Sequence, residues 1–271
     1  MTSPADGATL LADQRQDRIV AEVTRSGGAR VSELVTSLGV SDMTIRRDIA
    51  ALARAGRLQR VHGGAIAPAR SAEEPPFAQK SVRRTREKSA IAAAALTRLT
   101  RLGPGTSIAL SAGSTTLALA ERIARLDIAP TLTVLTNSLP AAEVLTRGSF
   151  PRPTVILTGG ERTPSDALVG PVADRACEGM HTDVLFLGVH GMDTDAGPTT
   201  PNLREAQTCR ALMATAREVV VLADSSKWGV VGMRTLAPWS QIHTVITDVG
   251  LPEPARVFLT DTIDTLEIVT P

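Results

Sequence analysis

Between Asp13 and about Arg25 the apolar residues Ile19, Val20 and Val23 recur at helical spacing, and Ser26-Gly27-Gly28 supplies a stop, so a first helix is predicted there. Ser32 suits the N-cap of a shorter second helix that turns Leu34, Val35 and Leu38 inward and ends at Gly39. Ser41 is placed to cap a third helix, which runs to about Ala55 and is closed by Gly56. Helix, short helix, glycine turn and helix is the order of a helix-turn-helix. At about 100° per residue, Ile45, Ile49 and Leu52 share a narrow arc that becomes the packed face of the third helix. Met43, Arg47, Ala50 and Arg54 fall opposite, flanked by Thr44 and Arg46, as a helix that reads the major groove requires. From Arg57 to Ile66, polar and apolar residues alternate around Gly63-Gly64, which predicts a short hairpin or wing. Arg57 and Arg60 would touch phosphates from it, and His62 reads as a turn residue without a titration role.

The pattern then changes. Residues 67–80, with Pro68, Pro75, Pro76 and Glu73-Glu74, carry little periodicity and read as a linker. The basic stretch Lys80 to Arg101 becomes an alanine-rich helix from Ser89, and its charge reads as a solvated face. From Gly105 onward short apolar runs alternate with helical stretches: 107–110, 132–135, 154–157, 184–189, 219–223 and 244–246. That alternation predicts a mostly parallel, Rossmann-like α/β sheet. The chain thus divides into a tail (1–12), a winged helix-turn-helix (13–66), a linker (67–80) and an α/β domain (81–271).

Ligands of open parallel sheets bind beyond the carboxyl ends of the strands, so the residues just after each run are the candidates for contact. Ser111-Ala112-Gly113-Ser114-Thr115 comes after the first, Asn137 after the second, Gly159-Gly160 after the third, His190 and Asp193 after the fourth, and Lys227 after the fifth. Gly113 to Thr116 opens a helix whose free N–H groups and dipole favour an anion. Lys227 is one of only three lysines, with Lys80 and Lys88. These features together predict a phosphorylated small molecule as ligand.

Charge sharpens the division. The net charge of +1 hides an asymmetry: residues 1–102 hold 17 Lys and Arg against 10 Asp and Glu, whereas residues 103–271 hold 12 against 18. A basic module for a polyanion is joined to an acidic body. Aromatic residues make up only 2% of the chain, which disfavours stacking platforms for single-stranded nucleic acid. Two cysteines make no disulfide framework, the N-terminus lacks signal-peptide character, and no apolar run reaches membrane-spanning length. A cytoplasmic, membrane-free protein is expected.

The run Val40-Ser41-Asp42-Met43-Thr44-Ile45-Arg46-Arg47-Asp48-Ile49, followed by Arg60-Val61-His62-Gly63-Gly64-Ala65, closely resembles the DNA-binding end of the deoxyribose-operon repressor (DeoR) family of bacterial regulators. Arg15, Ile19 and Val23 sit at that family's spacing. The later segments resemble the family's effector domain, whose fold is shared with ribose-phosphate isomerase, CoA transferases and initiation-factor-2B subunits. This resemblance implies effector contacts from Gly113, Ser114, Thr115, Asn137, Gly159, Gly160 and Lys227, with Asp193, Asn202 and Glu205 also matching. Two positions depart from the family: Ser111 stands where an aspartate is usual, and Cys209 where a lysine is frequent. Together they change which hydroxyl or phosphate the pocket edge can pair.

Two other functions compete. A sugar-phosphate isomerase would draw Glu205 or Asp193 as base with Lys227 as electrophile, but the Lys-Gly-Gly-Gly-Gly motif is absent. A metal-responsive regulator would use Cys177, His181 and His190, a weak signal beside the ordinary role of cysteine in a core. The expectation is therefore a non-enzymatic repressor of carbohydrate-metabolism genes, without metal or cofactor. Its partners are double-stranded DNA, met through Ser41, Met43, Thr44, Arg46, Arg47, Arg54, Arg57 and Arg60, and a sugar phosphate, met through Ser111 and the effector residues above. One such domain makes too few contacts for high specificity, so a homodimer or homotetramer is expected.

Overall fold

The computed structural model describes residues 12–26, 28–54, 57–61, 63–66, 77–147 and 151–271, and the chain forms two compact units, 1–69 and 70–271. His62, the closing Gly56 and most of the expected linker lie outside the described residues.

The first unit contains α1 (Ala12–Ser26), β1 (Gly28–Arg30), α2 (Val31–Leu38), α3 (Asp42–Arg54), β2 (Gln59–Val61) and β3 (Gly64–Ile66). Ile19 and Val23 of α1, Leu34 of α2, and Ile45, Ile49 and Leu52 of α3 are all buried and form one core. The hairpin is a three-stranded antiparallel sheet of order β1-β3-β2, because β1 pairs with β3 where only a helix stop was expected. That strand also corrects the start of the second helix. Arg30, not Ser32, occupies the N-cap; its N–H donates to Glu33 Oε2 at 2.8 Å, and the N–H of Val31 donates to Gly63 O at 2.9 Å. The first donors of α2 are thus satisfied by its own glutamate and by the wing. At α3 the expected cap holds: the N–H of Thr44 donates to Ser41 Oγ at 3.3 Å.

The second unit begins with α4 (Phe77–Ser81) and α5 (Thr85–Leu102). Residues 77–80, expected in the linker, are helical, and the N–H of Phe77 donates to Pro164 O at 3.2 Å. There follow β4 (Ser107–Leu110), α6 (Ser114–Ile123), β5 (Thr133–Thr136), α7 (Leu139–Thr146), β6 (Thr154–Leu157), β7 (Glu161–Arg162), β8 (Leu168–Val169), α8 (Pro171–Ala176) and β9 (Thr182–Gly188). The chain continues through β10 (Gly191–Asp193), β11 (Gly197–Thr200), α9 (Leu203–Thr215), β12 (Ala216–Leu222), β13 (Arg234–Thr235), β14 (Thr244–Asp248), α10 (Glu253–Thr262) and β15 (Thr265–Val269).

Seven strands make one wholly parallel sheet of order β15-β14-β12-β9-β4-β5-β6. Both faces are covered, which is why its central strands are nearly continuous runs of apolar residues. Ile108, Leu110, Val184, Phe186, Val220 and Leu222 pack under α5, α6 and α7. Their alternates Ala109, Leu185, Leu187, Val219 and Val221 pack under α9 and α10. The chain enters at β4, winds outward through β5 and β6, then returns to β9 on the other side of β4 and winds outward again. The strand order therefore reverses between β4 and β9. That reversal opens a crevice at their carboxyl ends, where the two loops leave in opposite directions.

Candidate functional site: an exposed helix face and a lysine-lined crevice

In the first unit, α3 divides its residues between core and solvent. Asp48 is buried and paired with Arg15 at 2.6 Å, and Gln16 Nε2 donates to its other oxygen at 3.1 Å. This clamp joins α1 to α3. On the outer side Met43, Arg46, Arg47 and Arg54 are exposed, while Ala50 is half-buried. Asp42 grips Arg46 through both carboxylate oxygens, Ser41 and Thr44 hydroxyls bond each other at 2.8 Å, and Arg54 Nε donates to Ala50 O at 3.3 Å. Arg47 makes no hydrogen bond or ion pair among the described residues. Arg60 is exposed on β2, whereas Arg57 is held by Asp17 at 2.8 Å.

In the second unit a cavity sits at the β4/β9 reversal. Gly113, Ser114 and Thr115 line it from the turn between β4 and α6, Gly188 to His190 from the end of β9, and Thr200 from β11. Glu205 and Cys209 line it from α9, Ala223 and Lys227 from beyond β12, and Lys80 from α4. Gly113 and Gly188 permit the close approach of the two strand ends: a Cβ on Gly188 would lie 3.3 Å from Ala112 O and 3.6 Å from Gly113 Cα. Gly113 occupies the N-cap of α6 without a side-chain cap, and Thr116 Oγ1 instead donates to Ser111 O at 2.8 Å. The first-turn N–H groups of α6 are left to the crevice.

Lys227 is presented by a short 3-10 turn, Ser225–Lys227. Two buried carboxylates build it: Asp224 accepts from the N–H of Ser226 at 3.1 Å, and Asp248 from that of Ser225 at 2.7 Å. Trp228, next in sequence, packs in tilted contacts with Trp239 and Phe258 at centroid separations of 6.2 and 6.1 Å and anchors the turn.

The basic stretch before β4 is not wholly a solvated face. Lys88 is buried, its Nζ donates to Lys80 O, and it lies within electrostatic reach of Asp224, Lys227 and Lys80. Burial, reinforced by the two other lysines and opposed by Asp224, lowers its pKa to about 8. Two of the chain's three lysines, Lys80 and Lys227, therefore line this crevice, and the third, Lys88, is buried behind Lys80. Their rarity was the available signal for Lys80 and Lys88.

The crevice brings together Gly113, Ser114, Thr115, Glu205 and Lys227 of the expected effector residues. The others lie elsewhere. Ser111 is fully buried and its Oγ accepts from the N–H of Gly188 at 2.8 Å, tying β4 to β9. Asn137, also buried, accepts from the N–H of Ala112 at 2.8 Å and donates to Leu168 O at 3.1 Å. Gly159 and Gly160 form the left-handed turn into β7, and Asp193 accepts from the N–H groups of Asp195 and Ala196 at 3.0 Å, shaping the β10–β11 turn. Asn202 caps α9 by accepting from the N–H groups of Arg204 and Glu205. His190, from the end of the fourth run, and Cys209, at the expected pocket edge, also line it, and Lys80 and Thr200 join the lining beyond the sequence expectation.

Cys177 is buried in the core, where desolvation and Asp174 push its thiol up to about 11, while His181 is exposed. Among the described residues no three His, Cys, Asp or Glu side chains gather in a way that holds a metal ion. No helix among them is long and apolar enough to cross a membrane.

Helix-turn-helix unit, parallel sheet and crevice together describe a regulator with a sensor body. Residues 15–71 match the DeoR-like helix-turn-helix domain and residues 83–249 the DeoR C-terminal sensor domain. The chain belongs to the DeoR family of HTH-type transcriptional regulators. It is 36% identical over 248 residues to the HTH-type transcriptional regulator GlpR of Haloferax volcanii, covering 91% of this chain and 94% of that one. It is 32% identical to the lactose phosphotransferase system repressor of Staphylococcus epidermidis, covering 86% and 91%. Among solved structures, ribose 5-phosphate isomerase A of Methanocaldococcus jannaschii is similar with a TM-score of 0.37 and 17% identity, over 52% of this chain and 53% of that one. A likeness that slight has no bearing on the site.

Proposed function

We propose that the protein represses genes of carbohydrate metabolism as a cytoplasmic homo-oligomer, and that a small phosphorylated sugar in the crevice modulates its grip on DNA. The observation that carries this reading is the convergence of Lys80, Lys227 and the uncapped N-terminus of α6 at the strand-order reversal. Two ammonium groups and a row of N–H donors favour a phosphate. Across the cavity Thr200 Oγ1 donates to Glu205 Oε2 at 3.4 Å, and this pair offers both an acceptor and a hydroxyl to the sugar. The pocket binds without turnover in this reading. The relatives' names, which include a lactose phosphotransferase system repressor, accord with the same ligand class.

On the DNA side, α3 enters the major groove with Arg47 reading a base edge. Arg46, Arg54 and Arg60 contact phosphates, and Ser41 and Thr44 fix the helix end. Fluorescence anisotropy on duplex DNA from upstream of the protein's own gene, titrated with phosphorylated and free sugars, tests both halves. Salt-sensitive binding that a sugar phosphate shifts and its free sugar does not is the expected result. A response to free sugars alone would defeat the phosphate reading, and consumption of the added sugar phosphate would make the crevice an active site.

A further inference from the structure

We propose that Met43 sets operator specificity by packing against the C5-methyl group of a thymine in the major groove. The inference rests on the reading of α3 as the groove helix and adds a base preference to it. Met43 is the second residue of α3 and is 80% exposed, more than any other large hydrophobic side chain among the described residues. The core of its unit does not include it, although Ile45 two residues on is fully buried there.

The polar groups around Met43 are engaged within the helix end itself. Ser41 bonds Thr44, and Asp42 holds Arg46. Met43 shares its face with Arg47, Ala50 and Arg54, since residues four, seven and eleven positions apart point the same way on a helix. Ala50 is the shortest side chain of that stripe, which lets the helix lie close to the groove floor. The face thus begins with one flexible apolar group and continues, a turn later, with the guanidinium of Arg47.

A thioether has no N–H or O–H donor and is a weak acceptor, so it cannot read the hydrogen-bonding edge of a base. Among the groups displayed in the major groove only thymine offers an apolar one, its C5-methyl. The fold leaves Met43 in water, and burying it against that methyl recovers the transfer free energy. Arginine at position 47 and methionine at position 43 therefore read different chemistry: guanine acceptors and thymine methyls.

The test uses the full-length protein and duplexes selected by it from a random pool, prepared with either thymidine or deoxyuridine, which pairs identically but lacks the methyl group. Anisotropy should show the wild type binding the deoxyuridine duplex more weakly, by about fourfold for each methyl contacted. Met43→Ala, an exposed substitution by a better helix former, should bind the two duplexes alike, and Met43→Leu should recover the preference. A thymidine-to-deoxyuridine ratio equal in wild type and Met43→Ala overturns the methyl contact and leaves the role of α3 standing. Failure to select any duplex from the pool defeats the reading of α3 and the proposal with it.

Discussion

Adjacent arginines on α3 have different surroundings, and their substitutions should differ accordingly. Arg46 is bound by Asp42 through two hydrogen bonds, whereas Arg47 stands on the outer face. Arg47→Ala should cost about 1–3 kcal/mol at the operator and relax sequence preference, and Arg46→Ala should weaken binding evenly across sequences. Anisotropy on matched and mismatched duplexes separates the two. Asp48 on the same helix is structural: removing it breaks the buried pair with Arg15 and the hydrogen bond from Gln16, and Asp48→Ala should destabilise the first unit by about 3 kcal/mol in a urea melt. In the crevice, Lys227→Ala should leave DNA affinity unchanged and abolish the response to sugar phosphate. A folded variant that still responds removes Lys227 from the site.

Lys88 and Cys177 give the sensor unit a pH signature of their own. The lysine's pKa is about 8 when folded against an ordinary 10.5, so the unfolded chain binds more protons between these values and stability rises with pH there, by about 3 kcal/mol in full. Cys177 opposes it. Its folded value of about 11 against an ordinary 9.0 means the folded thiol keeps its proton longer, and stability falls through that window. The net gain is concentrated between about pH 8 and 9. Urea midpoints across that interval should rise for the wild type and stay level for Lys88→Met.

At the scale of elements, the turns after the strands divide into those that make the crevice and those that make the fold. The β4–α6 turn does both: Gly113 approaches β9 while the N–H groups of α6 remain available. The turn at Gly159-Gly160 belongs to the fold. Gly160 has a φ of 111°, and a Cβ there would lie 2.5 Å from Val169 O. Gly160→Ala should therefore lower the thermal midpoint of the sensor unit while the surviving folded fraction keeps its ligand response, measured by calorimetry with and without sugar phosphate. Sequence pattern located both turns equally well, since each places glycines after an apolar run. It did not separate them, because what distinguishes the two is which neighbouring strand end each turn meets. The same holds for β1, which has only three residues and no alternation of its own, and is created by pairing with β3.

For the whole molecule, charge and topology are assigned to different units. In the proposed reading the arginines of the first unit make binding to DNA salt-dependent, and Arg60→Ala should reduce the slope of log affinity against log salt by about one. The second unit spreads its arginines over surface ion pairs such as Arg147–Glu143, Arg162–Asp166 and Arg204–Glu161. Twelve lysines and arginines follow residue 102, and the one lysine among them lines the crevice with Lys80. Three of the six aromatic residues, Trp228, Trp239 and Phe258, pack together in tilted and edge-on contacts next to the same turn.

The local pattern of side chains was enough to determine the helix-turn-helix, the packed face of α3 and the parallel sheet, because each depends on periodicity within a few residues. The run from Val40 to Ile49 was enough to point to the family. Tertiary structure decided which glycines and hydroxyls line the crevice. Ser111 and Asn137 spend their hydrogen bonds on β9, on the backbone of Ala112 and on Leu168, while Lys80 and Cys209 reach the crevice from separate helices. A crevice at a strand-order reversal is made by segments far apart in the chain, and only the folded sheet sets their spacing.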